Sequence, residues 1–180
     1  MDSGYDVILN GMVSLSIADA FERTRRNHAL EHATVGVLLQ RLGPTIRLMA
    51  RSTPHGFYIY GQLPTDAVRA AVEEALARLR AGEADLAISP LCGTNIAVAG
   101  LLAGLSSLAV AGAMRRPLDR LVGAVVAGTL AVLLAQPIGR LAQARLTTSA
   151  DVGGLRVRRV ERLSIGRLSV HWVETEFNPE

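Results

Sequence analysis

The chain has 180 residues, a formal net charge of +3 and a hydrophobic content of 49%, which suits one domain with a small membrane anchor. Only 4% of the residues are aromatic and no nucleic-acid-binding motif is present, so we expect no nucleic acid as a partner. The single cysteine, Cys92, excludes an internal disulfide. The modest positive charge is compatible with a lipid surface, where guanidinium groups meet phosphates.

The N-terminal part of the chain predicts a helix followed by a hairpin. Residues 7–17 are apolar but too short to cross a membrane, and we expect them to rest on the domain or on the lipid interface. Residues 18–42 contain few helix breakers and precede a Gly-Pro pair, so they predict a long helix. Residues 45–51 and 57–60 flank a turn that contains a proline, which predicts two antiparallel strands.

The next segment predicts a second helix and a loop. Apolar residues recur at helical spacing between Pro64 and Gly82, which indicates an amphipathic helix. Residues 86–88, Leu-Ala-Ile, predict a short strand. Cys92 then lies in a loop, immediately before the next predicted helix begins.

Two consecutive segments have the length and composition of membrane-spanning helices. Residues 96–114 and residues 121–139 each contain 19 positions without a charged side chain. A helix needs roughly 20 apolar residues to cross the hydrocarbon core of a bilayer. The pair therefore predicts a transmembrane hairpin whose connection, residues 115–120, is basic. Glycines such as Gly100 and Gly104 favour close helix packing and also permit a homo-oligomer.

The C-terminal residues predict further strands. Residues 155–157 and 168–172 alternate with period two, and residues 164–167 suit the turn between them. We expect these strands to join the earlier hairpin in one sheet. The predicted fold class is thus an α+β domain with a two-helix transmembrane hairpin inserted before the C-terminal strands. The predicted parts are an N-terminal domain, the hairpin and a C-terminal segment that completes the domain: residues 1–95, 96–139 and 140–180.

The distribution of arginine bears on the orientation in the membrane. The basic turn at residues 115–120 favours a cytoplasmic loop. Against this, the first 95 residues carry nine arginines and would have to cross the membrane. Two more arginines, Arg140 and Arg145, lie beyond the second apolar segment on the side of the domain. We therefore expect the domain to be cytoplasmic and the hairpin to lie in the inner (cytoplasmic) membrane.

The strongest chemical signal is the motif H-x-x-E-H at His28, Glu31 and His32. Histidines four residues apart share one face of a helix, so both imidazoles can bind the same metal ion. In the inverted zincin arrangement, the histidines hold zinc and the glutamate is the general base. Other interpretations are a buried polar cluster, an ion pair of Glu31 with Arg25 or Arg26, and another cofactor such as haem.

A catalytic zinc site needs a third protein ligand. Cys92 is the first candidate, because a helix N-terminus stabilises the thiolate, the form that binds metal. A small buried hydrophobic residue is the other interpretation of a lone cysteine. The next candidates are Glu73 and Glu74, each of which also suits an ordinary surface ion pair with an arginine four residues away. We expect His55 and His171 to be surface residues.

Two short motifs carry a resemblance to known families. Residues 26–34 read R-N-H-A-L-E-H-A-T and residues 92–95 read C-G-T-N. Together they resemble an uncharacterised family of bacterial membrane proteins, over residues 23 to about 100. That resemblance implies a membrane location and no particular activity. The five residues H-x-x-E-H also resemble the insulinase-type peptidases, large soluble enzymes with a distant glutamate ligand, so this likeness implies local zinc geometry alone.

Three functions are compatible with these observations. The leading hypothesis is a membrane-anchored metal-binding protein, in the form of a zinc peptidase acting on membrane proteins or peptides near the lipid surface. Here His28, His32 and Cys92 would hold the ion and Glu31 would activate water. The alternatives are a non-catalytic metal or cofactor protein that assists a membrane complex, and a thiol enzyme with Cys92 as the nucleophile.

Overall fold

The computed structural model describes residues 15–165 and 168–178, and it shows the α+β fold that the sequence predicts. The predicted apolar stretch at residues 7–17 falls almost entirely outside these residues. The four α-helices are α1 (Ile17–Leu42), α2 (Thr65–Arg80), α3 (Gly93–Ala113) and α4 (Pro117–Ala142). The strands are β1 (Met49–Thr53), β2 (Gly56–Tyr60), β3 (Leu155–Ile165) and β4 (Leu168–Phe177).

Helix α1, which carries the H-x-x-E-H motif, has a capping residue at each end. The Ser16 side chain accepts a hydrogen bond from the Asp19 amide, as N-capping residues do. The helix ends at Gly43, whose φ of 91° is accessible to glycine at little cost and whose amide donates to the Leu39 carbonyl. Asp19 in the first turn and Arg41 in the last turn complement the helix dipole.

The four strands form one antiparallel sheet in the order β1-β2-β4-β3. The hairpin of β1 and β2 was predicted, although β1 begins at Met49 and not at Thr45. Strand β4 pairs with β2, for example at His171 and Ile59, so the C-terminal strands rejoin the N-terminal hairpin. The two long apolar helices are therefore an insertion into the chain of a single sheet.

Helices α1 and α2 pack against the sheet and enclose the hydrophobic core. The fully buried side chains include Leu30, Val37, Leu38, Phe57, Ile59, Val68, Val72 and Val173. A polar contact also crosses this core. The Asn27 side chain donates to the Thr53 carbonyl (2.9 Å) and accepts from the Thr175 hydroxyl (2.7 Å). It thereby ties α1 to strands β1 and β4, and its buried polar atoms are satisfied.

Two local predictions were wrong. Residues Ala84–Ala87 form a short 3₁₀ helix, where a strand was predicted from Leu86 onward. Ala87 is buried in the core, and its carbonyl accepts a hydrogen bond from His32 of α1. The sheet of the described residues does not include this segment, so its backbone has no strand to pair with there. His171 is fully buried, not a surface residue. It lies on β4 between two other strands, and its Nε2 is 3.1 Å from the Thr65 hydroxyl.

Helices α3 and α4 form the predicted hairpin and are long and apolar enough to cross a membrane. Their connection is Met114–Arg116, and Pro117 starts α4, where a missing amide costs nothing. The Ser107 hydroxyl donates to the Ala124 carbonyl across the pair (2.8 Å). A Cβ atom at Gly128 would lie 2.7 Å from the Ser107 hydroxyl, so a larger residue there would displace this hydroxyl from its hydrogen bond. Almost no residue in either apolar segment is buried.

Replacing Phe57 by alanine should lower the free energy of unfolding by about 3–5 kcal/mol, because a fully buried ring leaves a cavity. The matched control is Phe21→Ala, whose ring is 58% exposed and whose loss should change stability by less than about 0.5 kcal/mol. Denaturant unfolding in detergent, followed by the fluorescence of the single tryptophan, measures both. Equal losses for the two variants would contradict this description of the core.

Candidate metal centre

Three side chains from distant parts of the chain meet beside the start of α3. They are His28 and His32 of α1 and Cys92, the residue that precedes α3. One nitrogen or sulfur atom from each lies within 4.8 Å of the other two. The Cys92 Sγ is 3.5 Å from the His28 Nε2. The sequence hypothesis named these three residues, and the fold brings them together.

Local structure accounts for the direction of each side chain. One helical turn separates His28 from His32, and their ring centroids are 4.3 Å apart. Cys92 is the N-cap of α3, and its Sγ accepts a hydrogen bond from the Thr94 amide (3.4 Å). The Cys92 amide donates to the Ser89 carbonyl, which closes a tight turn before the helix. The thiol is therefore held at the helix N-terminus, where a thiolate is stabilised.

Backbone carbonyls orient both imidazole rings. The Nδ1 of His28 lies 2.9 Å from the Thr147 carbonyl, and the Nδ1 of His32 lies 2.7 Å from the Ala87 carbonyl. A carbonyl oxygen only accepts hydrogen bonds, so each Nδ1 carries a proton. In the neutral ring each Nε2 is then the nitrogen left to bind an ion, and the Nε2 of His28 faces Cys92. Metal-binding histidines in proteins are commonly held in this way by a second hydrogen bond.

The spacing of these atoms fits a tetrahedral ion. Zinc binds nitrogen at about 2.0–2.1 Å and sulfur at about 2.3 Å, so two such ligands of one tetrahedral ion lie about 3.5 Å apart. The distance from Cys92 Sγ to His28 Nε2 matches this value. The whole group, at 4.8 Å or less, needs a contraction of only about 1 Å. Three protein ligands leave one tetrahedral position open, as in catalytic zinc sites.

Glu31 lies beside this group but outside it. Its carboxylate accepts a hydrogen bond from the Ser52 hydroxyl of β1, and the side chain is buried. Burial raises the pKa of Glu31, although the hydrogen bond from Ser52 and the nearby imidazoles oppose this change. Arg25 and Arg26 do not neutralise it, since both pair with Glu22. The alternative interpretation, an ion pair of Glu31 with either arginine, is therefore not found among the described residues.

The charge distribution favours a thiolate in the metal-free site. Burial by itself would raise the pKa of the Cys92 thiol, but hydrogen bonds from His28, His32 and Thr94 outweigh it and lower the pKa to about 5. Burial likewise opposes the charged form of His28. The bond to Cys92, the charge of Glu31 and the bond to Thr147 outweigh burial and raise its pKa. Cys92 and His28 thus each stabilise the charged form of the other.

A buried polar network joins the candidate centre to the apolar hairpin. Gln143 is fully buried and begins a π-helical turn, Gln143–Thr147, at the end of α4. Its side-chain amide donates a hydrogen bond to the side-chain oxygen of Asn95 (2.8 Å) and accepts one from the backbone amide of Ser89 (2.9 Å). A Cβ at Gly139 would lie 2.3 Å from the same Asn95 oxygen. This contact holds the end of α4 against the start of α3.

Sequence reasoning missed the residues that orient the ligands. Thr147 and Ala87 act through their backbone carbonyls, which every residue has, so the sequence cannot single them out. Ser52 lies on a strand remote in sequence from Glu31. Gln143 was detectable in principle, because a polar amide directly after a long apolar helix indicates a buried hydrogen-bonding role. Asn95 is part of the C-G-T-N motif, which was noted without this structural reason.

The other candidate ligands lie elsewhere. Glu74 forms ion pairs with Arg41 and Arg78. The pair with Arg78, four residues further along the helix, is the one that the sequence predicts. Glu73 is exposed on α2 and lines a separate groove beside β3. His55 is exposed in the turn between β1 and β2. Among the described residues, the group around Cys92 therefore does not include Glu73, Glu74 or His55.

The candidate centre opens into a cavity of about 640 Å³. The ligand residues and Glu31 line one part of it. Apolar side chains from α1, from residues 44–50 and from around the start of α3 line most of the rest: Val35, Leu39, Pro44, Ile46, Leu48, Met49, Ala50, Leu91 and Ile96. Ser89, Gly93 and Thr94 complete the lining. A reactive polar cluster thus adjoins a larger apolar space, as in many ligand sites.

Comparison with known proteins places the chain in a family. The profile of the family described as "Domain of unknown function (DUF6391)" matches residues 23–160. The chain belongs to this family. The match includes the H-x-x-E-H helix, Cys92 and both long apolar helices of this DUF6391 protein.

One relative has a similar sequence over most of this region. It is an uncharacterized protein of Picosynechococcus sp., 42% identical over 134 residues. The match covers 69% of this DUF6391 chain and 65% of that relative, so a substantial part of the relative lies outside the match. No solved structure matches the chain.

The metal-free site should show the low pKa of Cys92 directly. After chelation, the alkylation rate of Cys92 by iodoacetamide should stay nearly constant between about pH 8 and pH 6 and fall as the pH drops through the thiol pKa of about 5. In His28→Ala the main hydrogen bond that lowers this pKa is lost, so the rate should instead rise from pH 7 towards the ordinary thiol pKa of 9.0. Identical profiles would contradict the pairing.

Proposed function

We propose that this protein is a membrane-anchored zinc hydrolase of the peptidase type, with His28, His32 and Cys92 as the ligands. The observation that carries the proposal is the orientation of the two imidazoles. Both Nδ1 atoms donate to backbone carbonyls, so both Nε2 atoms are left to bind an ion, and the Nε2 of His28 lies 3.5 Å from the Cys92 sulfur. A purely structural polar cluster has no need for two histidine rings held in this way beside one cysteine.

The donor set supports zinc as the ion. Imidazole nitrogen and thiolate sulfur are the ligands that zinc prefers, and the tetrahedral geometry of zinc fits the observed spacing. Hard ions such as Mg²⁺ and Ca²⁺ select oxygen ligands, which the group of three does not offer.

Glu31 supports hydrolysis over mere metal storage. A zinc ion in such a site lowers the pKa of a coordinated water molecule. Glu31 lines the same cavity as the ligands, and the Ser52 hydroxyl fixes its carboxylate. In the proposed reaction Glu31 takes a proton from water, and the water oxygen bonds to a carbonyl carbon. The bond from that carbon to the leaving amine breaks, and the amine receives the proton.

The long apolar helices support a location at the membrane. Both α3 and α4 expose nearly all of their apolar side chains, which water would not favour. We propose that they span the inner membrane, with the domain on the cytoplasmic side. The candidate centre then lies at the bilayer boundary, because Cys92 caps the first of these helices. Substrates of the proposed enzyme are peptides or membrane proteins that reach this boundary.

Metal analysis of the purified protein should find one zinc per chain. His28→Ala and Cys92→Ser should each lose nearly all of it, because two remaining ligands bind zinc weakly. The matched control is His55→Ala, in which the lost imidazole is exposed and outside the group, and zinc content should be unchanged. A wild-type protein without zinc after purification free of chelators would refute the proposal.

Replacing Glu31 by glutamine separates catalysis from storage. The variant keeps an oxygen for the Ser52 hydroxyl but loses the base, so zinc should be retained while hydrolysis of a quenched fluorescent peptide mixture falls by about 10²–10⁴-fold. Glu73→Gln, at an exposed position, is the control and should retain both. Full activity of Glu31→Gln with zinc still bound would favour the non-catalytic metal protein that assists a membrane complex.

A second function is favoured by one distance. The Cys92 Sγ lies 3.5 Å from the His28 Nε2, which is the arrangement of a thiol nucleophile and its base. Activity that survives complete removal of zinc and is abolished by alkylation of Cys92 would support this function. Loss of activity on chelation, restored by added zinc, supports the hydrolase.

A further inference from the structure

We propose that the cavity beside the candidate centre takes the acyl chain of an amphiphile from the bilayer, so that the bond hydrolysed is the amide or ester next to that chain. The inference rests on the proposed hydrolase and narrows its substrates to those that carry an acyl chain, which fills the apolar part of the cavity while the bond to be cleaved lies at the histidines. Three features of the cavity support the inference. The face of α1 that lines it changes from polar to apolar, the residues before and at the start of β1 line it with apolar side chains, and its rim includes a residue in the first turn of α3.

Helix α1 changes from polar to apolar along the face that lines the cavity. His28, Glu31 and His32 are followed on this face by Val35 and Leu39, at the spacing of successive turns. At 1.5 Å per residue, the apolar part from His32 to Leu39 is about 10 Å long. A substrate lying along this face therefore has its reactive group at the histidines and an apolar portion of about this length beyond them.

The wall opposite α1 offers the substrate no polar side chain along the apolar part. It comes from the segment before β1 and the first residues of that strand, where Ile46, Leu48 and Ala50 line the cavity. A peptide in this space would bury amide groups against aliphatic side chains, and each amide without a partner is costly. An acyl chain has no such groups and gains from burial of every methylene.

The rim of the cavity carries large apolar side chains that are left exposed. Met49, Leu91 and Ile96 are 70%, 73% and 76% exposed, and all three line the cavity. Ile96 lies in the first turn of α3, which is one of the two helices long enough to cross a membrane. The opening therefore adjoins the place where this helix would enter lipid. An acyl chain already in the bilayer can reach the cavity there without passing through water.

The single cysteine makes a direct test available, because Cys92 is the only thiol in the chain and lies at the polar end of the cavity. The full-length protein is placed in lipid nanodiscs and freed of metal, and its alkylation by N-ethylmaleimide and by N-dodecylmaleimide is followed by intact mass. We expect the dodecyl reagent to be favoured at Cys92 because its chain occupies the apolar part.

A matched control removes the effect of simple partitioning into lipid. In the Cys92→Ser background, Leu108→Cys places a thiol on α3 at a position that is 73% exposed and outside the cavity. The ratio of dodecyl to ethyl rates should be at least about tenfold higher at Cys92 than at this control, which corresponds to burial of about two methylene groups. Equal ratios at the two positions would overturn the proposal.

Competition supplies a second measurement that needs no variant. Lauric acid should slow the reaction of Cys92 with N-ethylmaleimide, whereas an apolar octapeptide with acetylated and amidated ends should not. Protection by the peptide and none by the fatty acid would overturn the proposal in favour of a peptide occupant.

The outcome is separable from that of the proposed function. A protein that binds no zinc but shows the chain-length preference disproves the hydrolase and supports the acyl occupant of the cavity. A protein that binds zinc and hydrolyses peptides, with equal alkylation ratios at both thiols, disproves the acyl occupant alone.

Discussion

Two hydrogen bonds to backbone carbonyls determine what the candidate centre can do. Because Thr147 and Ala87 each accept the Nδ1 proton of a histidine, the Nε2 atoms of His28 and His32 are left to bind an ion together with Cys92. Without those carbonyls the rings could rotate, and the three ligand atoms would not converge. The carbonyls belong to the segments that leave α4 and lead to α3, so the centre forms only where the apolar hairpin meets the domain.

This position makes the anchor and the centre parts of one structure. Gln143 and Asn95 hydrogen-bond between the end of α4 and the start of α3, and Ser89 links both to the turn that carries Cys92. These side chains are buried, where hydrogen bonds are strong and an unpaired group is costly. A shift of the hairpin relative to the domain would therefore move Cys92 and the Thr147 carbonyl together and change the geometry around His28.

Much of the fold could be predicted because its patterns are local. The capped helix α1, the hairpin of β1 and β2, and the two uncharged segments each carry their signal within a short window of sequence. The errors arose where tertiary contacts override such patterns. Residues 86–88 look like a strand but pair with no strand in the part of the chain that the structure describes, and the Ala87 carbonyl accepts a hydrogen bond from His32 instead. His171 alternates like a surface residue but lies on a central strand beneath Thr65.

The sequence by itself determined the shared face of His28, Glu31 and His32, since one helical turn separates the two histidines whatever surrounds them. It also determined that two segments are apolar enough to cross a membrane. Only the tertiary structure decided that Cys92, 64 residues from His28, completes the group, and that Glu31 meets Ser52 and not an arginine. Such distances depend on how helices and strands pack, and the packing is a property of the whole core that no local spacing encodes.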